Sequence, residues 1–422
     1  MTAARRLAAL AGWVVAVLLL AAQPATAQRR AAAAAPRIQA PSAILVEPVT
    51  GDVVFQRRAG SSRSIASTTK LMTALLVLER ATLDDTLTVV PYAAGPAESV
   101  AGLRAGERLR VADLLRALLV ISANDAAVTL ATRVAGSRER FVRLMNQRAR
   151  QLGLRATHFA NPVGLDDPQN YSSAEDLVRL ALVLRRNAFF RATVDRRRVT
   201  IKSGARPRTL VNRNTLIGAA PFVTGIKTGH TQSAGYVLVG SATLRGVTLL
   251  SAVLGDPSEA ARNQDTLTLL RFGLRAYRPV RPVRRGQELA RGALRYGDGS
   301  VPLVAGATVR RTARLGERVS VRAVDVPDDL EGPLPRGARA GTVLVRQRGR
   351  TVARVPLVTG ADIAEATVTQ RLRDFLSRPG TLVLAGVLLL CSLLLVLLRR
   401  RIAGRHPERD EGRGPAGGTE VA

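Results

Sequence analysis

Apolar positions run through this chain in two rhythms. Ala43-Ile44-Leu45-Val46, a turn at Thr50-Gly51-Asp52, and Val53-Val54-Phe55 predict a β-hairpin. From Ser67 the run Leu71 to Leu78 is apolar nearly all round, which predicts a helix buried in the middle of a domain, with Ser67 at its N-terminus. Amphipathic spacing predicts helices over Val111–Val120 and Ala126–Val134, with Asn124 or Asp125 placed to cap the second. Ser122 and Asn124 then lie on the link between two helices. Gly225–His230, Gly235–Ala242 and Val247–Leu254 read as strands, the last two joined by a turn at Arg245-Gly246. Helices bracketed by strands from both ends of the segment predict an α+β domain over residues 40–277.

Past that domain the rhythm changes. Residues 278–285, rich in Arg and Pro, read as a linker, and 286–360 alternate short β-branched runs with Gly and Pro as a small all-β domain does. Residues 361–376 are expected to form a helix leading into the membrane. The apolar run 381–398 carries no charge and would be about 27 Å long as a helix, enough to span a bilayer. Arg399, Arg400 and Arg401 follow it, so residues 399–422 are expected to be a cytoplasmic tail. At the other end, Arg5 and Arg6 precede an apolar run from Leu7 to Ala22 and a small-x-small site at Ala25-Thr26-Ala27, so residues 1–27 read as a signal peptide and 28–39 as an Ala/Pro/Arg-rich leader. The expectation is an exported, single-pass protein of the cell membrane with its folded part outside.

Composition narrows the partners. A net charge of +31 would suit nucleic acid, but the arginines are scattered and only 3% of residues are aromatic, which gives bases little to stack on; no nucleic acid partner is expected. Outside a cell, anionic wall polymers and the lipid headgroups of the membrane are the partners such charge fits. The single Cys391 lies in the membrane run, so no intrachain disulfide framework can form. His158, His230 and His406 are isolated from one another, and neither a metal site nor a cofactor is expected.

Only three lysines occur among 63 basic residues. Lys70 closes Ser67-Thr68-Thr69-Lys70 and Lys227 opens Lys227-Thr228-Gly229, while Lys202 reads as surface charge. An arginine stays protonated, whereas a buried lysine can lose its proton and act as a base. At i and i+3, Ser67 and Lys70 share one helix face, which puts a base beside a hydroxyl nucleophile. The pKa of Lys70 must be depressed for this, and burial near a second cation such as Lys227 does so by desolvation and like-charge repulsion. Lys227 and Thr228 also suit a substrate carboxylate, and Gly229 leaves the strand edge open to an extended substrate. Ser122 and Asn124 offer a hydroxyl for proton transfer and an amide for the substrate backbone.

Ser67-x-x-Lys70, Ser122-x-Asn124 and Lys227-Thr228-Gly229 resemble, in this order, the three active-site motifs of the penicillin-recognising serine enzymes. Longer runs resemble one branch, the low-molecular-mass penicillin-binding proteins that are D-alanyl-D-alanine carboxypeptidases: residues 122–126 (Ser-Ala-Asn-Asp-Ala), 161–166 (Asn-Pro-Val-Gly-Leu-Asp), 212–214 (Asn-Arg-Asn) and 225–231 (Gly-Ile-Lys-Thr-Gly-His-Thr). The resemblance implies an α+β catalytic domain of the serine transpeptidase and β-lactamase type, followed by a small all-β domain and one C-terminal transmembrane helix. It implies a carboxypeptidase acting on peptidoglycan stem peptides and inhibited covalently by β-lactams. Ser67 would be the nucleophile and Lys70 its base, with Ser122 and Asn124 assisting. Lys227, Thr228 and Arg262 would meet the terminal carboxylate, and the backbone amides of Ser67 and His230 would form the oxyanion hole. Val163 stands where many members carry His and Ala123 where many carry Gly, which bears on substrate preference. A serine β-lactamase and a non-catalytic wall-binding protein are the alternatives. No Glu-x-x-Leu-Asn segment follows Ser122, as a class A β-lactamase would require, and the intact nucleophile and lysines argue against a scaffold.

Overall fold

The computed structural model of the chain describes residues 35–403. The expected signal peptide, most of the leader and residues 404–422 of the tail lie outside the described residues. The chain divides into two compact units: Met1–Pro279 with Thr312–Gly316, and Val280–Arg311 with Glu317–Ala422.

In the first unit, β1 (Ser42–Glu47), β2 (Asp52–Arg57), β3 (Val223–Thr231), β4 (Gly235–Leu244) and β5 (Val247–Asp256) form one sheet in the order β2-β1-β5-β4-β3. The pairings within it are antiparallel. The strands read as continuous apolar runs because both sheet faces are covered. Ala43, Leu45, Leu238, Leu249 and Val253 enter one core with Leu269 and Leu270, whereas Ile44, Val46, Val237, Val239, Leu250 and Ala252 enter another. This is the alternation of a pleated strand, applied to two buried faces at once.

The first core holds the long helix α6 (Glu259–Ala276). The second holds α1 (Lys70–Arg80), α2 (Val111–Val120), α3 (Asn124–Ala135), α4 (Arg138–Gln151) and α5 (Ala174–Leu184). Helix α1 is buried from Lys70 to Val77, as its all-round apolar sequence requires. Edge strand β3 carries Lys227, Thr228 and Gly229, and lies next to β4 alone in the sheet order.

Four local expectations are corrected. Ser67 stands in a 3₁₀ turn, Ala66–Thr69, that runs into α1 at Lys70. Neither Asn124 nor Asp125 caps α3: the N-cap is Ala123, with no side-chain cap, and both polar residues are the first helical positions. The segment expected as a linker, 278–285, holds most of a strand, Tyr277–Val283, which includes Pro279 and Pro282. The helix expected over 361–376 begins only at Val368, because Thr367 and Gln370 form a capping box there and Ile363 is engaged in a β-bridge with Leu334.

The second unit is built on a six-stranded sheet of β6 (Glu288–Leu294), β7 (Ser300–Ala305), β8 (Val319–Val324), β9 (Asp329–Leu330), β10 (Arg339–Gln347) and β11 (Arg350–Thr359), in the order β8-β10-β11-β7-β6-β9. Val301, Leu303, Val343, Val345, Val355 and Leu357 fill its core. Helix α7 (Val368–Ser377) buries no residue, and α8 (Pro379–Ala403) is long and apolar enough to cross a membrane, with exposed leucines along its length.

Candidate active site

The turn that carries Ser67 is held in an unusual shape from three sides. Ala66 has φ 45°, in the left-handed region that L-residues avoid. Thr68 stabilises the turn by donating its backbone N–H (3.1 Å) and its Oγ1 (2.6 Å) to the Ile65 carbonyl. Gly229 of β3 backs it: a Cβ there would sit 3.0 Å from both Ala66 Cβ and the Ser67 nitrogen. The glycine thus lets β3 approach the Ser67 turn, a packing reason distinct from the open strand edge expected for substrate. The third side is the segment Asn161–Leu165, where Asn161 Oδ1 accepts hydrogen bonds from the backbone of Val163, Gly164 and Leu165.

Lys70 is fully buried. Its Nζ donates to Ser67 Oγ at 3.1 Å and to the Val163 carbonyl at 2.5 Å. Burial pushes its pKa well below the ordinary lysine value, and the charge of Lys227 adds to the depression, against smaller opposing effects of Glu98 and Asp125. Lys227 is likewise buried, its Nζ bonded to the Thr228 carbonyl at 2.9 Å. Desolvation, then Arg213 and Arg262, lower its pKa to about 7. The pair therefore consists of one strongly depressed amine beside Ser67 and one amine lowered to about 7.

Ser122 occupies the link between α2 and α3 at φ 67°, also left-handed. Its Oγ is buried, and among the described residues nothing hydrogen-bonds it. A buried hydroxyl left in that state costs about 1–3 kcal/mol, an expense that points to use by something that enters the site. Asn124 is buried at the start of α3 and donates Nδ2 to Glu98 Oε2 at 2.6 Å.

At the outer end of β3, His230 is exposed and stacks on Tyr236, with ring centroids 4.0 Å apart. Arg262, buried in the first turns of α6, lies over the other ring of this tier, 6.0 Å from the Tyr236 centroid, and bonds Glu259 at 2.7 Å and Asn263 at 2.9 Å. Its guanidinium acts on Lys227 electrostatically. A pocket of about 410 Å³ is lined by Tyr92, Val128, Pro162, Val163 and Leu165 among others. Val163 thus contributes its carbonyl to Lys70 and is also part of the wall of this pocket.

The three motifs point to neither Glu98 nor the Val163 carbonyl, and Arg213, though part of the Asn-Arg-Asn run, carries no role in them. A carbonyl oxygen carries no side-chain identity, so no sequence signal exists for it. Glu98 is the only acidic residue between Asp85 and Glu107, and an isolated carboxylate in a Pro/Ala/Gly-rich loop of a chain so basic was the available signal.

The sequence profile of the D-alanyl-D-alanine carboxypeptidase family matches residues 29–258. The chain is 32% identical over 356 residues to the D-alanyl-D-alanine carboxypeptidase DacA of Escherichia coli, covering 81% of this chain and 88% of that protein. It is 29% identical over 337 residues to DacF of Bacillus subtilis, covering 78% and 87%. Among solved structures it resembles penicillin binding protein 5 from Haemophilus influenzae, with a TM-score of 0.57, 31% identity, and coverage of 78% of this chain and 99% of that one. The DD-transpeptidase of Streptomyces K15 matches with a TM-score of 0.54 and 32% identity over 57% of this chain and 99% of its own. The fold is accordingly the penicillin-binding one, and the chain belongs to the D-alanyl-D-alanine carboxypeptidase family of serine peptidases.

Proposed function

We propose that this protein is an exported, membrane-anchored serine-type D-Ala-D-Ala carboxypeptidase that removes the terminal D-Ala from peptidoglycan stem peptides through an acyl-enzyme. The observation that carries the reading is the 3.1 Å contact between Ser67 Oγ and a fully buried Lys70 whose pKa is strongly depressed. In a neutral amine, the Val163 carbonyl takes one N–H. The lone pair is then free to receive the Ser67 proton as Oγ attacks the carbonyl of the penultimate D-Ala. The backbone N–H groups of Ser67 and His230 meet the oxyanion. Ser122 Oγ, without a protein partner, relays the proton to the leaving amine, and Asn124 holds the substrate backbone against edge strand β3.

The terminal carboxylate is received by Lys227 and Thr228 in a field made more positive by Arg213 and Arg262. Water then hydrolyses the ester and restores Ser67. Helix α8 supports anchoring, with the folded units outside and the arginines at its end inside. The family relationship supports peptidoglycan as substrate and β-lactams as covalent inhibitors. Detergent-solubilised full-length protein incubated with a peptide ending in D-Ala-D-Ala should release D-Ala, and Ser67→Ala should not. Equal release from both proteins would remove Ser67 from the mechanism.

A further inference from the structure

Glu98 lies on the loop between Thr88 and Arg108, outside every motif that carries the proposed chemistry, yet its carboxylate touches one of them directly. Oε2 accepts from Asn124 Nδ2 at 2.6 Å and from the hydroxyl of Tyr92, while Oε1 accepts from the Gly95 backbone N–H at 3.1 Å. Burial pushes the Glu98 carboxyl up, but the hydrogen bonds from Tyr92, Asn124 and Gly95 and the charge of Lys70 outweigh it and hold it below the usual range. Ionised, it can only accept. The loop is also fixed to α3 by backbone contacts: the Asn124 N–H donates to the Ser99 carbonyl at 2.7 Å, and Asp125 accepts from Ala101 and Leu103 at 3.0 Å.

An asparagine side chain has two ends of similar shape and opposite hydrogen-bonding character, and the neighbours decide which way it points. A carboxylate facing Asn124 admits only the NH₂ end. We propose that Glu98 is a positioning residue that fixes the orientation of the Asn124 amide, holding one NH₂ hydrogen on its carboxylate so that the remaining donor and acceptor of the amide meet the bound stem peptide in one fixed arrangement. The inference rests on the carboxypeptidase reading of the site. Gln at 98 would accept or donate equally well, so the amide could turn end for end and exchange its donor and acceptor positions.

A double-mutant cycle tests it, with Glu98→Gln, Asn124→Ala and the double variant in the full-length protein. The readouts are kcat/KM for D-Ala release from a D-Ala-D-Ala peptide and Tm. Glu98→Gln should lower kcat/KM about 10-fold or more in the wild-type background, the scale of one charge-assisted hydrogen bond, and should add no further loss to Asn124→Ala. Glu98→Asp, which keeps an acceptor-only group, should recover part of the loss. An equal fold-loss in both backgrounds, or no loss in an active protein, overturns the positioning role alone. A wild-type protein that releases no D-Ala overturns the function reading first and this inference with it. If Glu98→Gln does not fold, the comparison of Glu98→Asp with Tyr92→Phe, each with and without Asn124→Ala, carries the same cycle.

Discussion

Gly164 and Ala66 meet where no side chain can enter: a Cβ on Gly164 would overlap the Ala66 carbonyl oxygen and lie 2.9 Å from the Ser67 nitrogen. Gly164 also holds φ 85°, which L-residues adopt only at a penalty of roughly 1–2 kcal/mol. Because the atoms it would strike are backbone, the nucleophile's turn must yield. Gly164→Ala should therefore slow acylation by about 10² or more, since displacement of reacting groups by about 1 Å costs on that order. Gly153→Ala is the control: φ is 68° there too, but the nearest atom is an arginine terminus at 3.7 Å, so stability should drop slightly while acylation persists. The rate of penicillin labelling, followed by intact mass, distinguishes them. Equal rates in Gly164→Ala and wild type would show that the turn is not rigid.

Lysine rarity makes a second case. Lys70→Arg keeps a charge but cannot lose a proton, so acylation should fall by roughly 10² to 10⁴, the range of a lost general base. The guanidinium must also fit where Nζ now bonds both Ser67 Oγ and the Val163 carbonyl. Normal labelling of Lys70→Arg by penicillin would mean that another group takes the serine proton.

What the sequence made legible was chemistry written in side chains at fixed spacing. Ser67 and Lys70 meet because three residues make one turn, and the conflict of like charges between Lys70 and Lys227 follows from burying two amines in one site. The long helix α6 was not read as such, because Arg262, Asp265 and Thr266 are buried on it beside Leu269 and Leu270, which blurs the apolar stripe. Residues 278–285 read as a linker because Pro279 and Pro282 punctuate a stretch that is in fact largely strand. Glu98 reaches Asn124 through a loop fold that no periodicity encodes. The loop's docking on Asp125 supplies that information, and it exists only in three dimensions.

The two lysines also set a pH profile. Lys227 must be charged to receive a carboxylate, and its pKa is about 7 in the free protein. Substrate capture, read as kcat/KM, should therefore fall as pH rises through about 7. It should fall on the acid side as Lys70 gains its proton, well below the ordinary lysine range. Lys227→Arg remains charged, so its alkaline limb should move up by more than a unit while some carboxylate binding is retained. An alkaline limb unchanged in Lys227→Arg would assign that limb to a different group.

Topology is the next expectation. With α8 as the single span and Arg399 to Arg401 at its end, a tag after Ala422 should be protected from protease added to intact cells, and a tag at Gln28 should be cleaved. Cleavage of both tags would contradict a cytoplasmic tail.

The fate of a β-lactam separates a carboxypeptidase from a β-lactamase that shares its motifs. Ring opening by Ser67 leaves the leaving group attached, so release depends on a base that can activate water. Four carboxylates are candidates, and each is engaged; Asp125 accepts from the Ala101 and Leu103 N–H groups at 3.0 Å. Asp166 Oδ2 accepts from the Ser233 N–H at 3.2 Å, and Asp167 Oδ1 from the Gln169 N–H at 2.7 Å. Glu98 touches a motif residue directly, but it accepts from Tyr92, Asn124 and Gly95, and a carboxylate held below its usual pKa is a weak base. Penicillin should therefore label wild type and not Ser67→Ala, and the adduct should outlast the peptide acyl-enzyme by a wide margin. Intact-mass measurement over hours reads both. Rapid multiple-turnover hydrolysis of penicillin by wild type, abolished in Glu98→Gln, would instead make Glu98 a deacylating base and the chain a β-lactamase.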